Sequence, residues 1–190
     1  MIPKNIEKRP FFSRKDAESE GLSSRMIAYY LKDGRIERIR RGIYRCKDSK
    51  YSGDFQWEDL VVVANTIPNS VVCLISALKY YNLTDEFMRE LWIAVPNNQQ
   101  NKAWDNVRLV RMRNMELGVK VVKEGGITIK IFDPERTIID SFRLLDLEIA
   151  VKALKAYVTG TIGKPNYKKL SDYAKKLRFN ITPYLQSLIT

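Results

Sequence analysis

Arg35-Ile-Glu-Arg-Ile-Arg-Arg-Gly-Ile-Tyr-Arg45 sets five arginines against one glutamate, in a spacing that reads as a β-hairpin. Ile36, Ile39 and Ile43 can turn toward a small core while Arg38, Arg40, Arg41 and Arg45 project outward, and Gly42 supplies the backbone freedom of a tight turn. Two short helix signals precede the hairpin. Ser13-Arg-Lys-Asp16 has the Ser-x-x-acid form of a helix start, and Ala17-Glu18-Ser19-Glu20 carries that helix on to a break at Gly21. Ser23 caps a second helix, on which Ile27, Tyr30 and Leu31 share one face. Ser24, Arg25, Ala28, Tyr29 and Lys32 share the other, until Asp33-Gly34 stops it. Helix, turn, polar-faced helix and basic hairpin follow in the order of a winged helix-turn-helix, predicted for residues 1–48.

The residue types on the outward surfaces are those that duplex DNA requires. Lysine and arginine neutralise phosphates and release counterions, and a helix with small or hydrogen-bonding outward residues can enter the major groove. Ser24, Arg25, Ala28 and Tyr29 are the candidates for the groove, with Lys32 as a further cation on the same face. Arg40 and Arg41 at the hairpin tip suit backbone or minor-groove contact, where cations are favoured by the negative potential. Two blander readings stand beside these. The basic hairpin is also what a solvated edge strand uses to discourage sheet-to-sheet pairing, and Tyr29 at helical spacing could pack beneath the wing.

Charge is distributed unevenly along the 190 residues. The net charge is +11, and residues 1–48 hold 13 basic and 7 acidic side chains, so just over half of the surplus lies in a quarter of the chain. An acidic partner is expected. The chain has no histidine, which removes the commonest general base and zinc ligand together with every Ser-His or Cys-His nucleophile. Its two cysteines, Cys46 and Cys73, are too few and too far apart for a zinc site; a disulfide is not excluded by spacing. No phosphate-binding glycine loop is present, and Gly125-Gly126 reads as a hairpin turn. With no secretory pattern at the amino terminus and no apolar run near the ~20 residues of a membrane span, the expected compartment is the cytoplasm. No cofactor or metal is called for.

Residues 49–56 lack periodicity and are read as a linker, leaving 57–190 as a second domain. Trp57 to Ile67 is an amphipathic helix ended by Pro68-Asn69, and a second helix is expected from Val71 to Tyr81. Strands are expected at Leu91 to Val95, Val107 to Arg113, Val119 to Lys123 and Ile127 to Phe132. Asp133-Pro134-Glu135 is a strong helix start, with a capping carboxylate, proline at the first helical position and an acid at the positive end of the dipole. Arg136 and Asp140, four apart on that helix, are read as a structural ion pair. Further helices are expected at Leu147 to Val158, at Tyr167 to Leu177 and from Thr182-Pro183 onward. The predicted class is α+β, an amino-terminal winged helix-turn-helix followed by helices flanking a small, mostly antiparallel sheet. Arg108, Arg111 and Arg113 form a possible second basic surface, with Lys120, Lys123 and Lys130 on neighbouring strands. Strand alternation puts Arg111 and Arg113 on one face and Arg108 on the other.

With Arg41-Gly-Ile-Tyr44 in the wing, Ala77-Leu-Lys-Tyr-Tyr-Asn-Leu-Thr84 and Asp133-Pro-Glu-Arg-Thr-Ile-Ile-Asp140, the chain resembles the AbiEi antitoxins of abortive-infection toxin-antitoxin systems, which act in phage defence. The resemblance runs from about residue 10 to residue 158. It implies a bacterial two-domain protein whose winged helix represses its own operon at promoter inverted repeats. The second domain would counter a nucleotidyltransferase-like toxin, in many cases without a stable complex, and no catalysis is implied. Carried over residue by residue, the DNA-binding positions are Ser23, Ser24, Arg25 and Tyr29 of the recognition helix and Arg38, Arg40, Arg41 and Arg45 of the wing. The expected state is a monomer or weak dimer, cooperative on DNA.

Two readings from other classes remain. Some restriction-type nucleases join a winged helix to an α/β domain and work with carboxylates, lysine and magnesium. Their sign would be an acid near a strand followed by Glu-x-Lys, whereas Glu116 is followed by Leu117 and Gly118. A scaffold that binds nucleic acid through charge alone is the other.

Overall fold

The structure, a computed structural model, describes residues 1–49, 53–100 and 104–189. Residues 50–52, inside the stretch read as a linker, lie outside the described residues. Contacts group Met1–Val62 with Glu124–Gly126 as one unit and Val63–Lys123 with Ile127–Thr190 as a second.

In the first unit the order is α1 (Lys4–Glu7), β1 (Phe12–Ser13), α2 (Arg14–Ser19), α3 (Ser24–Lys32), β2 (Ile36–Arg40) and β3 (Ile43–Cys46). The capping box is complete. The Asp16 N–H donates to the Ser13 hydroxyl at 3.1 Å and the Ser13 N–H donates to the Asp16 carboxylate at 2.8 Å, so two helix-end donors are satisfied. Asp16 is partly buried, which opposes its charge, but hydrogen bonds from Ser13 and the nearby Arg9 hold its carboxyl below the usual range. Gly21, at φ +83°, turns the chain between α2 and α3, and Ser23 caps α3 by accepting from the Met26 N–H at 3.3 Å. Ile27 and Tyr30 of α3 pack with Ile6, Phe12, Ala17, Leu22, Ile36 and Tyr44 into one buried cluster. Neither α1 nor the two-residue β1 is expected from the sequence. Both are too short to show a period, and β1 is held by its pairing with β3, Phe12 against Tyr44.

The three strands order β1-β3-β2. Pairing of β2 with β3 slips between Arg38 and Arg40, so Ile39 sits in a β-bulge and is only half-buried. The expectation that it faces the core with Ile36 and Ile43 assumed unbroken alternation, which a bulge interrupts.

A 3-10 turn at Phe55–Trp57 leads into α4 (Glu58–Thr66), whose residues fall partly in each unit. The second unit continues with β4 (Val71–Val72), α5 (Leu74–Tyr80), β5 (Leu91–Pro96), β6 (Val107–Met112), β7 (Val119–Glu124), β8 (Ile127–Phe132), α6 (Pro134–Leu144), α7 (Leu147–Val158), α8 (Tyr167–Lys176) and α9 (Thr182–Ile189). The helix expected from Val71 begins only at Leu74. Val71 and Val72 instead fill the central strand, Val72 pairing with Ile93 on one side and Ile131 on the other. Two β-branched residues flanked by strands on both sides gain more as a ladder than as a first helical turn.

The second sheet orders β6-β5-β4-β8-β7 and is mixed rather than mostly antiparallel. β4 and β5 are antiparallel, but β5–β6 and β4–β8 run parallel. Parallel neighbours need long connections rather than tight turns, and residues 97–106 and 73–126 supply them. On the helical side Leu78, Ile138, Ile139, Leu154, Tyr157 and Leu170 form a buried cluster. Asp133 caps α6 as expected, accepting from the Arg136 N–H at 2.9 Å, with Pro134 in the first turn. Cys46 and Cys73 are both buried free thiols.

Candidate nucleic-acid interface

Burial of Ile27 and Tyr30 fixes the rotation of α3, and the opposite face is open. Ser23, Ser24, Arg25, Ala28 and Lys32 are exposed, and Tyr29 is 57% exposed rather than packed beneath the hairpin. The Tyr29 ring stands edge-on to Tyr30 with centroids 5.5 Å apart. Arg35 lies over both rings, 4.8 Å from the Tyr30 centroid and 5.8 Å from that of Tyr29, and is paired with Asp33. The hydrogen bond to Asp33 raises the Arg35 pKa above its ordinary value. Ser24 is less available than its exposure suggests, because its hydroxyl accepts from Arg14 Nη2 at 2.5 Å. Arg14, a cation beside the helix start, escapes the sequence reading; its one signal is Glu18 four residues on, with which it pairs at 2.8 Å.

Strand register divides the hairpin arginines into two groups. Ile36 stands opposite Cys46 and Arg38 opposite Tyr44, so Arg38 leaves the hairpin on the side that packs against α3, and it is exposed. On the other side Glu37 stands opposite Arg45, and Arg40 opposite Ile43 beyond the bulge. The first turn of α4 meets that side. Asp59 lies 3.2 Å from Arg40 Nη2, and Arg45 bridges Glu37, at 2.8 Å, and Glu58. Burial opposes the charge on Arg45, but the hydrogen bond to Glu37 and the charge of Glu58 outweigh it and raise its pKa. Arg40 and Arg45 are therefore held by carboxylates far away in the sequence. Among the described residues, Arg25, Lys32, Arg38 and Arg41 are exposed and none of them pairs with a carboxylate.

The arginines expected to make a second basic surface also separate. Arg108 pairs with Glu90 at 2.7 Å and lies over the Trp92 ring at 4.5 Å. Arg111 and Arg113 open instead on a cavity of about 520 Å³ that Arg136 and Arg143 also line. Arg136 and Asp140 do form the anticipated pair, at 2.6 Å, but buried rather than on a solvated helix face.

A carboxylate-lysine cluster appears that the search for Glu-x-Lys could not show. Lys169 Nζ lies 3.0 Å from both Asp133 Oδ2 and Glu135 Oε2, while Tyr173 donates to Asp133 at 3.1 Å and Tyr157 to Glu135 at 2.8 Å. Burial works against the charge on Glu135, but the hydrogen bond from Tyr157 and the ion pair with Lys169 prevail and hold its carboxyl below the usual range. Burial, together with the neighbouring Glu135 and Asp133, pushes the Tyr157 hydroxyl up. Three of the four carboxylate oxygens accept hydrogen bonds, from the Arg136 N–H, Tyr173 and Tyr157, while the buried Glu135 Oε2 meets Lys169 as an ion pair without a hydrogen bond, the arrangement of a cross-braced helix start. Among the described residues no group of three or more acids, cysteines or histidines is placed to hold a metal ion, and no helix is long and apolar enough to cross a membrane.

Nothing among the curated proteins matches the chain. A family model does match, over residues 1–46, and it is described as a transcriptional regulator, AbiEi antitoxin. The matched residues include the two helices and the basic hairpin, so over this part the chain is similar to the AbiEi antitoxin transcriptional regulators.

Proposed function

We propose that the chain is the antitoxin and autorepressor of a toxin-antitoxin operon of the abortive-infection kind. Residues 1–48 act as a winged helix-turn-helix, with α3 in the major groove of promoter inverted repeats and the hairpin on the flanking backbone. The observation that carries this reading is the pairing of an open α3 face, Arg25, Ala28, Tyr29 and Lys32, with Arg38 and Arg41, cations that have no carboxylate to neutralise them. The second domain counters a nucleotidyltransferase-like toxin, and the protein works by binding in the cytoplasm without catalysis. It is a monomer or weak dimer that becomes cooperative on adjacent half-sites.

The test is titration of the full chain onto its own promoter repeats and onto a scrambled duplex. Tight binding to the repeats alone, weakening steeply between ~50 and ~200 mM salt, supports the repressor. Equal affinity for the scrambled duplex would favour a charge-driven scaffold, and co-expression with a nucleotidyltransferase-like toxin encoded in the same operon reads the antitoxin part directly. The alternative, a magnesium-dependent nuclease, would draw on Asp133, Glu135 and Lys169, although among the described residues no acid cluster is placed to hold a metal ion. Cutting of a plasmid that E135Q abolishes would establish it in place of the first.

A further inference from the structure

We propose that the cavity at the end of β6 is a binding site for a polyphosphate anion of the nucleoside triphosphate class. Three elements supply its walls: Arg111 and Arg113 from β6 and the residue beyond it, Arg136 and Arg143 from α6, and Lys176 and Arg178 from the end of α8. Set against these six cations is the carboxylate of Asp140, which holds Arg136 Nε on one oxygen and Arg143 Nη1 on the other, each at 2.6 Å. Among the described residues, Arg111, Arg113, Lys176 and Arg178 pair with no acid.

Ordinary helix electrostatics covers only part of this surplus. The carboxyl-terminal ends of α6 and α8 both reach the cavity, and each contributes roughly half a negative charge. Together with Asp140 they offset about two of the six cations, so a surplus of about four remains around one cavity. Like charges gathered this way repel one another, and a ligand carrying several phosphates removes that repulsion.

The cavity is also built rather than incidental. The Arg136 side chain is 1% exposed, and its guanidinium is fixed by Asp140, by the Leu117 carbonyl at 2.8 Å and by the Phe132 ring at 4.4 Å. Arg136 therefore braces the wall, and the donor fork it helps to hold in place is that of Arg143, which shares the Asp140 carboxylate and is 35% exposed. Arg178 occupies the residue after the α8 cap, where Phe179 N–H returns to the Ala174 carbonyl at 2.9 Å and Arg178 N–H to that of Lys175 at 3.1 Å. Its φ is +56°, a conformation that this helix-ending motif usually gives to glycine, so the chain accepts backbone strain to place a guanidinium here. At about 520 Å³ the space has the size of a small-molecule site. Leu144, Leu177 and Met112 add apolar wall, and Asn97 and Asn114 add amides, groups suited to a base. A concavity of this size walled by three elements, and not a groove running along the surface, fits a single nucleotide better than a continuous backbone.

The proposal does not rest on the repressor reading. The test is calorimetric titration of the full chain with ATP, GTP, inorganic triphosphate and adenosine, repeated with ATP in the presence of a single-stranded RNA. Triphosphates are expected to bind and adenosine not to. Arg111→Ala and Arg178→Gly are each expected to weaken ATP at least about tenfold, the loss of a charge-assisted contact. Arg178→Gly relieves strain and keeps the fold, so its lost binding cannot be assigned to unfolding. No heat with any triphosphate at millimolar concentration, unchanged ATP affinity in Arg178→Gly, or complete displacement of ATP by the RNA with much tighter RNA binding would each overturn the assignment.

Discussion

Arg136 and Asp140, one turn apart on α6, form a buried ion pair in which Nε lies 2.6 Å from Oδ2 and each side chain is 1% exposed. At this spacing on a solvated helix such a pair stabilises by only ~0.5 kcal/mol. Burial changes the scale, because losing one partner leaves the other as an uncompensated charge away from water.

Asp140→Ala is therefore expected to destabilise the chain by about 3–5 kcal/mol, measured by urea denaturation. The double change R136M/D140L removes both charges and should cost less than the two single changes added together. A loss under about 1 kcal/mol for Asp140→Ala would mean that water replaces the carboxylate.

Gly118 touches the same arginine. It has φ +75°, and a Cβ built on it would lie 2.6 Å from the Arg136 Cβ and 3.1 Å from the Tyr173 ring. Gly118→Ala combines an unfavourable φ with a contact that must shift, for an expected loss of about 1–3 kcal/mol. An unchanged thermal midpoint would show that β7 moves aside freely.

On the hairpin, function and stability should separate by register. Arg38→Ala and Arg41→Ala are expected to leave stability nearly unchanged and to weaken operator binding, each flattening the salt slope by about one unit if it removes a phosphate contact. Arg45→Ala leaves the partly buried Glu58 without its cation and should instead cost about 1–3 kcal/mol of stability. Arg40→Ala breaks a pair with the exposed Asp59, which is worth under about 1 kcal/mol. Loss of DNA binding with intact stability in Arg45→Ala would return that residue to the interface.

Acid should weaken the second unit through Glu135. Its carboxyl is held below its ordinary value near 4.5, so the folded state binds a proton less readily than the unfolded chain does. The stabilisation is complete above about pH 4.5 and is lost as pH falls through the lower folded value. Stability measured between about pH 5 and 3 should therefore fall less steeply in Glu135→Gln than in the parent chain. Equal slopes would assign the acid sensitivity elsewhere, for example to Asp16, whose carboxyl is lowered too.

Where a feature depended on neighbours in the chain, the sequence showed it. The Ser13-to-Asp16 cap, the Ile27 and Tyr30 face of α3 and the Asp133-Pro134 helix start are all present in the structure, because each is decided by contacts within about one turn. Val71 and Val72 misled for the opposite reason: their strand exists only through Ile93 and Ile131. The hairpin arginines look alike in the sequence, yet Arg40 and Arg45 meet acids 19 and 13 residues away.

By itself the sequence determined where the longer helices and strands lie, α1, β1 and β4 excepted, and that the first quarter carries two helices and a cationic hairpin, since propensity, capping and charge act locally. Only the tertiary structure decided which arginines stay uncompensated, that strands β5 and β6 run parallel, and that six cations from β6, α6 and α8 surround one cavity. Those outcomes depend on which distant residues become neighbours, and pair energies between charges depend on distance and burial that a linear order of residues does not contain.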